Sequence, residues 1–453
     1  MLFENHIIFA DYFVINKMKH LIYIIIALTI GTLTLKGENN SAVQKYSLEK
    51  CYQLTQENYP LVKRYNLIEL SETYNLKNAY MKYFPQISLS ASASIQTDVL
   101  TWPVDIAIPG FEVPVYSKDQ YAAIIELSQV IWDGGQIAAE RENIRAKATI
   151  EKYEQDIAMY SLREKIDGLY FGLLLLGEQL NQTRMMISEL DTEVKRIEKC
   201  IENGVANDSD HDMIEVELIT HNQNILNIES KIEAYLRMLS LMTGTKIDSV
   251  EMLEYPIAPG TNMEQLLTSI LLQDIRRYEL GMYDAQIAQI DTQLDYWVAS
   301  GMPKFKLFVR GGYGRPGLDF LDNSFAPFAI GGITLQWNIS ELYSLGYGKK
   351  VVKYSKQQIE AVKETFLFNT SLQSEEQISE VRRLIGLLKE DEKIYTLRIK
   401  IRKAAEVEVE NGTMNAADLI REINREDIAK KQLILHEIEL MKAIYQLKHL
   451  RNN

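Results

Sequence analysis

Cysteine and histidine are scarce in this chain. Its 453 residues include two cysteines, Cys51 and Cys200, so one disulfide is possible but a small fold stabilised by several disulfides is excluded. The six histidines do not cluster with either cysteine, which argues against a zinc site. Neither a Ser-His-Asp set nor a Gly-x-Ser-x-Gly elbow is visible. We therefore predict no catalytic residues, no metal site, no cofactor and no enzyme activity.

An excess of basic residues is also missing, and long apolar runs are rare. The formal net charge of −13 argues against a nucleic-acid partner, which would need a basic surface. One convincing apolar run, residues 21–35, follows the basic stretch Lys17-Met18-Lys19-His20, which is the pattern of a secretory signal peptide. We therefore expect residues 1–40 to be an N-terminal extension and signal peptide, with Met18 as a candidate true start and a retained signal anchor as the alternative.

Proline is absent from two long stretches, between Pro114 and Pro256 and after Pro327. Because proline costs about 3 kcal/mol inside a helix, both stretches permit long helices. Apolar residues there recur in steps of three and four, as in the seam of a coiled coil.

This spacing predicts two very long helices, residues 136–203 and 349–410. Each ends at an Asn-Gly pair, which is a common helix stop, and each is followed by a returning helix, residues 209–242 and 416–450. The result is two long antiparallel hairpins. A single such hairpin cannot bury its own apolar seams, so each requires neighbours.

Four shorter segments alternate between apolar and other residues: 87–96, 121–128, 305–312 and 333–338. A period of two is typical of a half-buried strand, and about 9–11 residues are enough to cross a bilayer as a tilted strand. Four strands cannot close a barrel, and lipid does not tolerate an open sheet edge. Either several chains combine their strands in a membrane, or the strands form a small soluble sheet on the helices. Composition alone favours the soluble sheet.

The two halves of the chain carry the same pattern. Gly204 and Gly412 are 412 − 204 = 208 positions apart, and an aspartate follows six residues after each of them. A period near 210 is much longer than the roughly 20–50 residues of a solenoid repeat. We therefore predict a duplicated unit, with residues 41–245 as the first structural repeat and residues 246–453 as the second.

Several short motifs, in order along the chain, resemble the TolC-like outer membrane efflux proteins over nearly all of residues 46–450. Each motif is weak alone, but their duplicated order after a signal-like start is specific. The motifs are Tyr46-Ser47-Leu48-Glu49 through Asn58-Tyr59-Pro60-Leu61, Arg277-Tyr278-Glu279-Leu280, Leu127-Ser128-Gln129-Val130-Ile131-Trp132-Asp133-Gly134-Gly135 and its weaker copy Gln336-Trp337-Asn338-Ile339-Ser340.

The resemblance implies a mainly α fold with a small β part. Such proteins are homotrimers in which each subunit gives four strands to one transmembrane β-barrel, while the helices form a hollow cylinder through the periplasm. The resemblance also implies a function, which is to form the exit duct of an exporter in the outer membrane of a Gram-negative bacterium. Outer membrane lipid, a periplasmic adaptor protein and an inner-membrane pump are the implied partners. The alternative is a periplasmic coiled-coil scaffold with soluble strands.

The resemblance further implies that the two hairpin turns dock the adaptor protein. A tight exposed turn requires glycine, which tolerates positive φ. Ordinary helix capping is the simpler reading of the same residues. The residues are Asn203, Gly204, Val205, Ala206 and Asn207 in the first turn, and Asn411, Gly412, Thr413, Met414 and Asn415 in the second.

By the same resemblance, Asp418 occupies the family position at which carboxylates form a ring around the closed periplasmic end of the channel. Asp210 is its counterpart in the first half of the chain. A ring of carboxylates would attract cations and restrict passage. The alternative is a carboxylate that is favourable in the first turn of any helix. The chain departs from the best-known version of this gate in the family. Arg421 stands where that version has a second acid, and Met414 stands where it has an arginine. We expect Arg421 to pair with an acid of a neighbouring subunit.

Aromatic residues near the predicted strand ends suit a membrane-interface belt. A soluble aromatic core is the alternative, and Trp297, inside a predicted helix, is assigned to packing. The belt residues are Tyr121, Trp132, Tyr313, Phe328 and Trp337.

Overall fold

The computed structural model describes residues 45–99, 116–202, 207–258, 260–319, 322–411 and 413–451. The predicted signal region, residues 1–40, lies outside them, and so do residues 203–206 and 412 of the hairpin turns. Among the described residues, no helix combines the length and the apolar character needed to cross a membrane.

Nine α-helices and four strands make up the described part of the chain. Two short 3-10 helices, Pro60–Val62 and Val250–Met252, complete it. In chain order the elements are α1 (Leu48–Asn58), α2 (Lys63–Met81), β1 (Gln86–Ile95), β2 (Asp119–Trp132), α3 (Gln136–Tyr160), α4 (Leu162–Glu202), α5 (Asp208–Thr243), α6 (Met263–Leu271), α7 (Tyr278–Ser300), β3 (Lys304–Arg315), β4 (Ala326–Gln336), α8 (Glu341–Glu410) and α9 (Ala416–Arg451).

Both helical hairpins form as predicted, with two differences. The first long helix is not continuous but is interrupted at Ser161. The Ser161 hydroxyl donates to the Ala158 carbonyl at 2.8 Å. The second, α8, has 70 residues and begins eight residues earlier than expected, at Glu341. The order of helices, strand pair and helical hairpin occurs twice along the chain. The boundary between residues 245 and 246 falls in the segment after α5 and stays a prediction.

The junction between β2 and α3 shows why the sequence Asp133-Gly134-Gly135 stands there. The buried carboxylate of Asp133 accepts hydrogen bonds from the backbone N–H groups of Gly135 at 3.0 Å and Ile137 at 2.5 Å, which caps the new helix. Gly134 and Gly135 have φ of 75° and 94°, which favours glycine. A Cβ on Gly134 would also lie 2.7 Å from the Ala299 carbonyl oxygen.

The four strands form one antiparallel sheet in the order β1-β2-β3-β4. The strands that follow each other in each half, β1 and β2 and then β3 and β4, are paired, and β2 also pairs with β3, which joins the two halves of the chain. Since β1 and β4 are the sheet edges, each has one side without a strand partner within the described chain.

The two faces of the sheet differ. The register places Ile87, Leu127 and Val309 in one row, and because alternate residues point to opposite sides, the neighbouring rows continue the same face. The opposite face carries Ser88 and the Arg310–Glu126 ion pair at 2.6 Å. The exposed apolar residues of the first face include Ile87, Leu89, Ile125, Leu127, Leu307, Val309, Ile333 and Leu335.

The core lies among the helices and has two separate parts. The larger cluster joins α1, the first part of α4, the end of α5, the segment around residues 247–270, the middle of α8 and the end of α9. The smaller cluster lies near the hairpin turns. Cys51 is buried in the larger cluster and is a free cysteine. Burial, and to a smaller extent the nearby Glu49 carboxylate, raises the pKa of the Cys51 thiol to about 12.

Helices α7 and α8 pack closely where Trp297 lies over Gly348. A Cβ added at Gly348 would fall 2.1 Å from the Trp297 ring, whereas nothing lies within 4 Å of a Cβ at Gly346. We therefore expect Gly348→Ala to lower the free energy of unfolding by about 1–3 kcal/mol.

Thermal unfolding monitored by circular dichroism measures this effect. The matched control is Gly346→Ala in the same helix, which should be neutral or slightly stabilising because alanine is the better helix former. Equal melting temperatures for the two variants would show that the Trp297 contact does not restrain α8. The contact agrees with the assignment of Trp297 to packing.

Candidate functional site

The turn between α8 and α9 is capped by its own side chains. Thr413 donates its backbone N–H and its hydroxyl to the Glu408 carbonyl, both at 2.9 Å. The Asn415 side-chain oxygen accepts the backbone N–H of Asp418 at 2.8 Å. The Asn411 side chain donates to the Val407 carbonyl at 2.8 Å. These contacts close the end of α8 and open α9, which is the capping that the simpler reading expects.

The start of α5 after the first turn uses the same device. The Asn207 side chain accepts the backbone N–H of Asp210 at 3.0 Å, and the Asp210 carboxylate accepts the backbone N–H of Asn207 at 3.1 Å. This reciprocal pair is a capping box. Of the other predicted contact residues, Asn203, Gly204, Val205, Ala206 and Gly412 lie outside the described residues.

The carboxylates predicted to form a gate have partners within their own helices. Asp418 forms an ion pair with Arg421 three residues further along α9, and both side chains are partly exposed. Within one chain, Arg421 therefore neutralises the very acid that was expected to face the lumen. A pairing of Arg421 with a neighbouring subunit stays a prediction.

Apolar packing supports the end of the hairpins. Met414 packs against the smaller cluster, whose buried members include Leu190 of α4, Ile214 of α5 and Leu419 of α9. All four long helices therefore contribute to one small core just behind the turns. A methionine is suited to filling such irregular space. This gives a physical role to the residue that replaces the arginine of the best-known gate.

A network of ion pairs lies next to this cluster. Arg402 of α8 bonds to Glu426 of α9 at 2.6 Å, and Arg398 bonds to Glu422 at 3.2 Å, so two parallel pairs join the arms of the second hairpin. A further contact joins the two hairpins: the Gln182 amide of α4 donates to the buried Asp427 carboxylate of α9 at 3.0 Å.

Glu193 on α4 faces this network and lies 3.6 Å from Arg196, with a side chain that is 15% exposed. Burial raises the pKa of Glu193 above its ordinary value, and Glu406 and Glu189 add to that effect, while Arg196 and Arg402 oppose it. Because the folded protein binds this proton more readily than the unfolded chain, Glu193 favours folding at low pH. That contribution is lost as the pH rises through the raised pKa.

We therefore expect Glu193→Gln to increase stability at pH 7 and to reduce the gain that the native protein shows when the pH falls toward 5. Chemical denaturation at several pH values measures both effects. The control is Asp191→Asn, which removes an exposed carboxylate from the same helix. An unchanged pH profile for Glu193→Gln would mean that Glu193 is ionised as easily in the folded protein as in the unfolded chain.

Aromatic residues mark both ends of the sheet. At the end that carries the loops, Phe325 packs against Tyr121 and stacks on Tyr313, with ring centroids 6.1 and 5.8 Å apart. At the end that joins the helices, Trp132 pairs with Phe305, and Trp337 donates its indole N–H to the Gly301 carbonyl at 3.0 Å. Tyr121, Trp132, Tyr313 and Trp337 are all exposed.

Phe328 differs from the other four predicted aromatic residues. It pairs with Gly312, and a Cβ on Gly312 would lie 2.4 Å from its ring. The register places these two residues on the face that carries Glu126 and Arg310, opposite Tyr313. Phe328 therefore does not share the apolar face with Tyr313, and its place in the belt stays a prediction.

Sequence reasoning missed the ion pairs between α8 and α9 and the small core behind the turns. Arginines and glutamates at helical spacing marked the ion pairs, and apolar residues at helical spacing marked the core. The partners, however, depend on how the turn aligns the two arms. Among the described residues, His211, Asp212 and Glu215 have potential ligand atoms within 4.8 Å of one another at the exposed start of α5. Such exposed acidic groups are common without a metal.

Comparison with protein-family models and with curated proteins gives no match. Comparison with solved structures gives several matches. The outer membrane protein VceC of Vibrio cholerae superposes with a TM-score of 0.62 at 14% identity, covering 90% of this chain and 96% of VceC. The outer membrane channel CmeC of Campylobacter jejuni superposes with a TM-score of 0.59 at 14% identity, covering 89% of this chain and 85% of CmeC. The MtrE outer membrane channel of Neisseria gonorrhoeae, in its open state, superposes with a TM-score of 0.60 at 11% identity, covering 90% of this chain and 89% of MtrE.

These similarities cover about nine tenths of the chain. At such low identities they establish the fold and leave the residue-level roles to be argued from the chain itself. The chain therefore has the fold of these outer membrane channels, which confirms the architecture that the resemblance to the TolC-like family predicted.

Proposed function

We propose that this protein is the outer membrane channel of a tripartite efflux or secretion system. In this role it conducts substrates passively from a pump and an adaptor across the periplasm and the outer membrane of a Gram-negative bacterium. The chain itself makes and breaks no bonds in this role. It provides a passage whose walls are the sheet and the long helices.

One observation carries this proposal: the apolar face of the sheet is bounded by aromatic residues at a spacing that fits a bilayer. Tyr121 and Trp132 lie eleven residues apart on β2, and a β-bulge between Val130 and Trp132 reduces this to about ten strand steps, or about 33 Å. For a strand tilted by roughly 40°, the separation along the membrane normal is about 25 Å. An outward apolar band of about 25 Å between aromatic girdles is typical of membrane-spanning strands.

The open edges of the sheet support assembly into a homotrimer. An unpaired strand edge is unfavourable in hydrocarbon, since no water is present to bind its N–H and C=O groups. Pairing β4 of one copy with β1 of the next removes every edge when the ring closes. Three copies would give twelve strands, and the exposed apolar residues along α8 would then face neighbouring helices.

The hairpin turns are the proposed docking site for the periplasmic adaptor protein, which would connect the duct to an inner-membrane pump. The capped, partly exposed turn residues Asn207, Asn411, Thr413 and Asn415 support this role because they offer polar groups at the far end of the hairpins from the sheet. The acids Asp210 and Asp418 would restrict passage at this end.

Conductance of the purified full-length chain in planar lipid bilayers tests the proposal. We expect discrete channels and oligomers on a gel that dissociate on heating. A monomeric protein that stays in solution without detergent and carries no current would overturn the proposal and favour the periplasmic scaffold.

Arg421 offers a test of the gate. Without its guanidinium, the Asp418 carboxylates of three subunits would repel one another across a narrow ring, which favours opening. We expect Arg421→Ala to raise the passive leak or the single-channel conductance several-fold. The control is Arg425→Ala, which breaks a similar ion pair, with Glu422, one turn further along α9. No change in conductance would remove Arg421 from the gate.

A further inference from the structure

The start of α8, directly after the sheet, carries a row of exposed tyrosines. Tyr343, Tyr347 and Tyr354 are spaced four and seven residues apart, so they share one face of the helix. Their exposed fractions are 77%, 73% and 60%. Tyrosine has an apolar ring and a polar end, which suits a boundary between hydrocarbon and water.

Three lysines flank this row. Lys349, Lys350 and Lys353 are exposed, and none forms an ion pair with any residue of the part of the chain that the structure describes. Lys350 follows Tyr343 by seven residues and so lies on the tyrosine side of the helix. We call these three lysines and the three tyrosines the basic aromatic patch.

The charge of this segment is opposite to that of the whole protein. Residues 341–356 contain four lysines and one acid, Glu341, while the complete chain has a formal net charge of −13. The fourth lysine, Lys356, is neutralised by Asp291 of α7. A local positive charge on an acidic protein, held next to aromatic rings, selects an anionic surface as its partner.

The patch lies close to the sheet. Helix α8 begins five residues after the end of β4, and Lys349 follows the first residue of α8 by eight positions, or about 12 Å. Helical side chains lean toward the N-terminus, so these lysines lean toward the sheet. Their long apolar stems let the ammonium groups reach several ångströms further.

We propose that the basic aromatic patch binds anionic phospholipid headgroups on the leaflet that meets the helical end of the sheet. The tyrosine rings would lie at the headgroup boundary, and the three ammonium groups would pair with lipid phosphates. This inference rests on the proposed function, because it requires the sheet to be in a membrane. A second copy of the chain covering the same face is the competing occupant, and the experiment distinguishes the two.

The test uses the full-length protein in vesicles of phosphatidylcholine with 30% phosphatidylglycerol. Two sets of vesicles are compared: one contains brominated phosphatidylcholine, and the other contains brominated phosphatidylglycerol. Bromine quenches nearby tryptophans, and Trp132, Trp297 and Trp337 lie at this end of the sheet. We expect a preference for phosphatidylglycerol of at least about fivefold at low salt, since one lysine near an anionic surface contributes about that factor. The preference should fall in 0.5 M NaCl.

The variant K349Q/K350Q/K353Q should lose the preference. Its matched control is K389Q/K400Q/K403Q, which removes the same charge from exposed lysines further along the same helix. The inference is wrong if the triple variant keeps the preference, if the control loses it equally, or if neither lipid quenches while the channel conducts normally. The last result would show that another subunit covers the patch.

Conductance measured on the same preparations separates this inference from the proposed function. A protein that conducts and forms heat-sensitive oligomers but shows no lipid preference loses only the lipid site. A protein that neither conducts nor is quenched by either lipid loses both proposals.

Discussion

Leu127→Arg should prevent stable assembly of the protein in membranes, whereas Ser128→Arg should not. Leu127 lies on the apolar face of β2, midway between Tyr121 and Trp132, and pairs with Ile87 and Val309. An arginine at the bilayer midplane costs about 2–4 kcal/mol on a lipid-facing strand. Three copies in a trimer multiply that cost to roughly 6–12 kcal/mol, which is comparable to the whole stability of an ordinary domain.

Ser128 is the matched control because it adjoins Leu127 and points to the opposite face, which carries Glu126 and Arg310. An arginine there would lie in the lumen of the proposed channel. We expect Ser128→Arg to assemble normally and to lower the conductance for cations. The fraction of protein in heat-sensitive oligomers after reconstitution measures the first effect, and planar-bilayer recording measures the second.

The two variants also decide between the membrane channel and the soluble scaffold. Leu127 is exposed in a single chain, so on a soluble sheet either arginine would be a surface substitution of little cost. Equal recovery of both variants, in detergent-free buffer, would contradict the channel. A selective loss of Leu127→Arg requires an apolar solvent on one face of the sheet.

The long helices and the strands could be predicted from the sequence because both depend on periodicity over many residues. The steps of three and four that predicted α8, at Ile378, Val381, Ile385 and Leu388, lie inside a helix of 70 residues. The same dependence on many residues explains the error at Ser161. The interruption involves a single residue, Ser161, and leaves no mark on the surrounding pattern.

The contacts around the turns could not be predicted, because they depend on the alignment of two helices rather than on either one. Arg402 and Glu426 are 24 residues apart, as are Arg398 and Glu422. A turn longer by one residue would rotate α9 by about 100° and give each arginine a different partner. Phe328 illustrates the corresponding limit in the sheet, where the face of a residue follows from strand register and not from its chemical type.

Asp167→Ala should destabilise the protein more than any other single substitution in the helical part that we consider. Asp167 lies on α4, and its side chain is 1% exposed. Its carboxylate accepts a hydrogen bond from the Tyr52 hydroxyl of α1 and lies 2.8 Å from the ring Nε2 of His449 on α9. Burial, and next the Asp167 carboxylate, raise the pKa of Tyr52, so its phenol remains a proton donor.

Removing this carboxylate takes the hydrogen-bond acceptor from the buried Tyr52 hydroxyl and the nearby carboxylate from His449. The Tyr52 hydroxyl then keeps a contact with the His449 Nε2 at 3.0 Å. A buried polar group left without its partner costs about 1–3 kcal/mol, and the space left by the carboxylate adds to this cost. Asp167→Asn should cost less, since its amide oxygen can still accept from Tyr52. Asp191→Ala, which removes an exposed acid from the same helix, is the control and should be neutral. Denaturant unfolding orders the three variants, and an Asp167→Ala protein as stable as Asp191→Ala would contradict the role of this network.

The position of Asp167 makes its effect on conduction informative as well. It joins the first hairpin to the last helix of the second at a level far from the turns, while Gln182 and Asp427 join the same two hairpins nearer to the turns. If opening moves the turns apart, the Asp167 contacts should hold while the Gln182 contact breaks. We therefore expect Gln182→Ala to raise the leak with little loss of stability, and Asp167→Asn to lower stability with little change in leak. The opposite result would place the moving contact at Asp167.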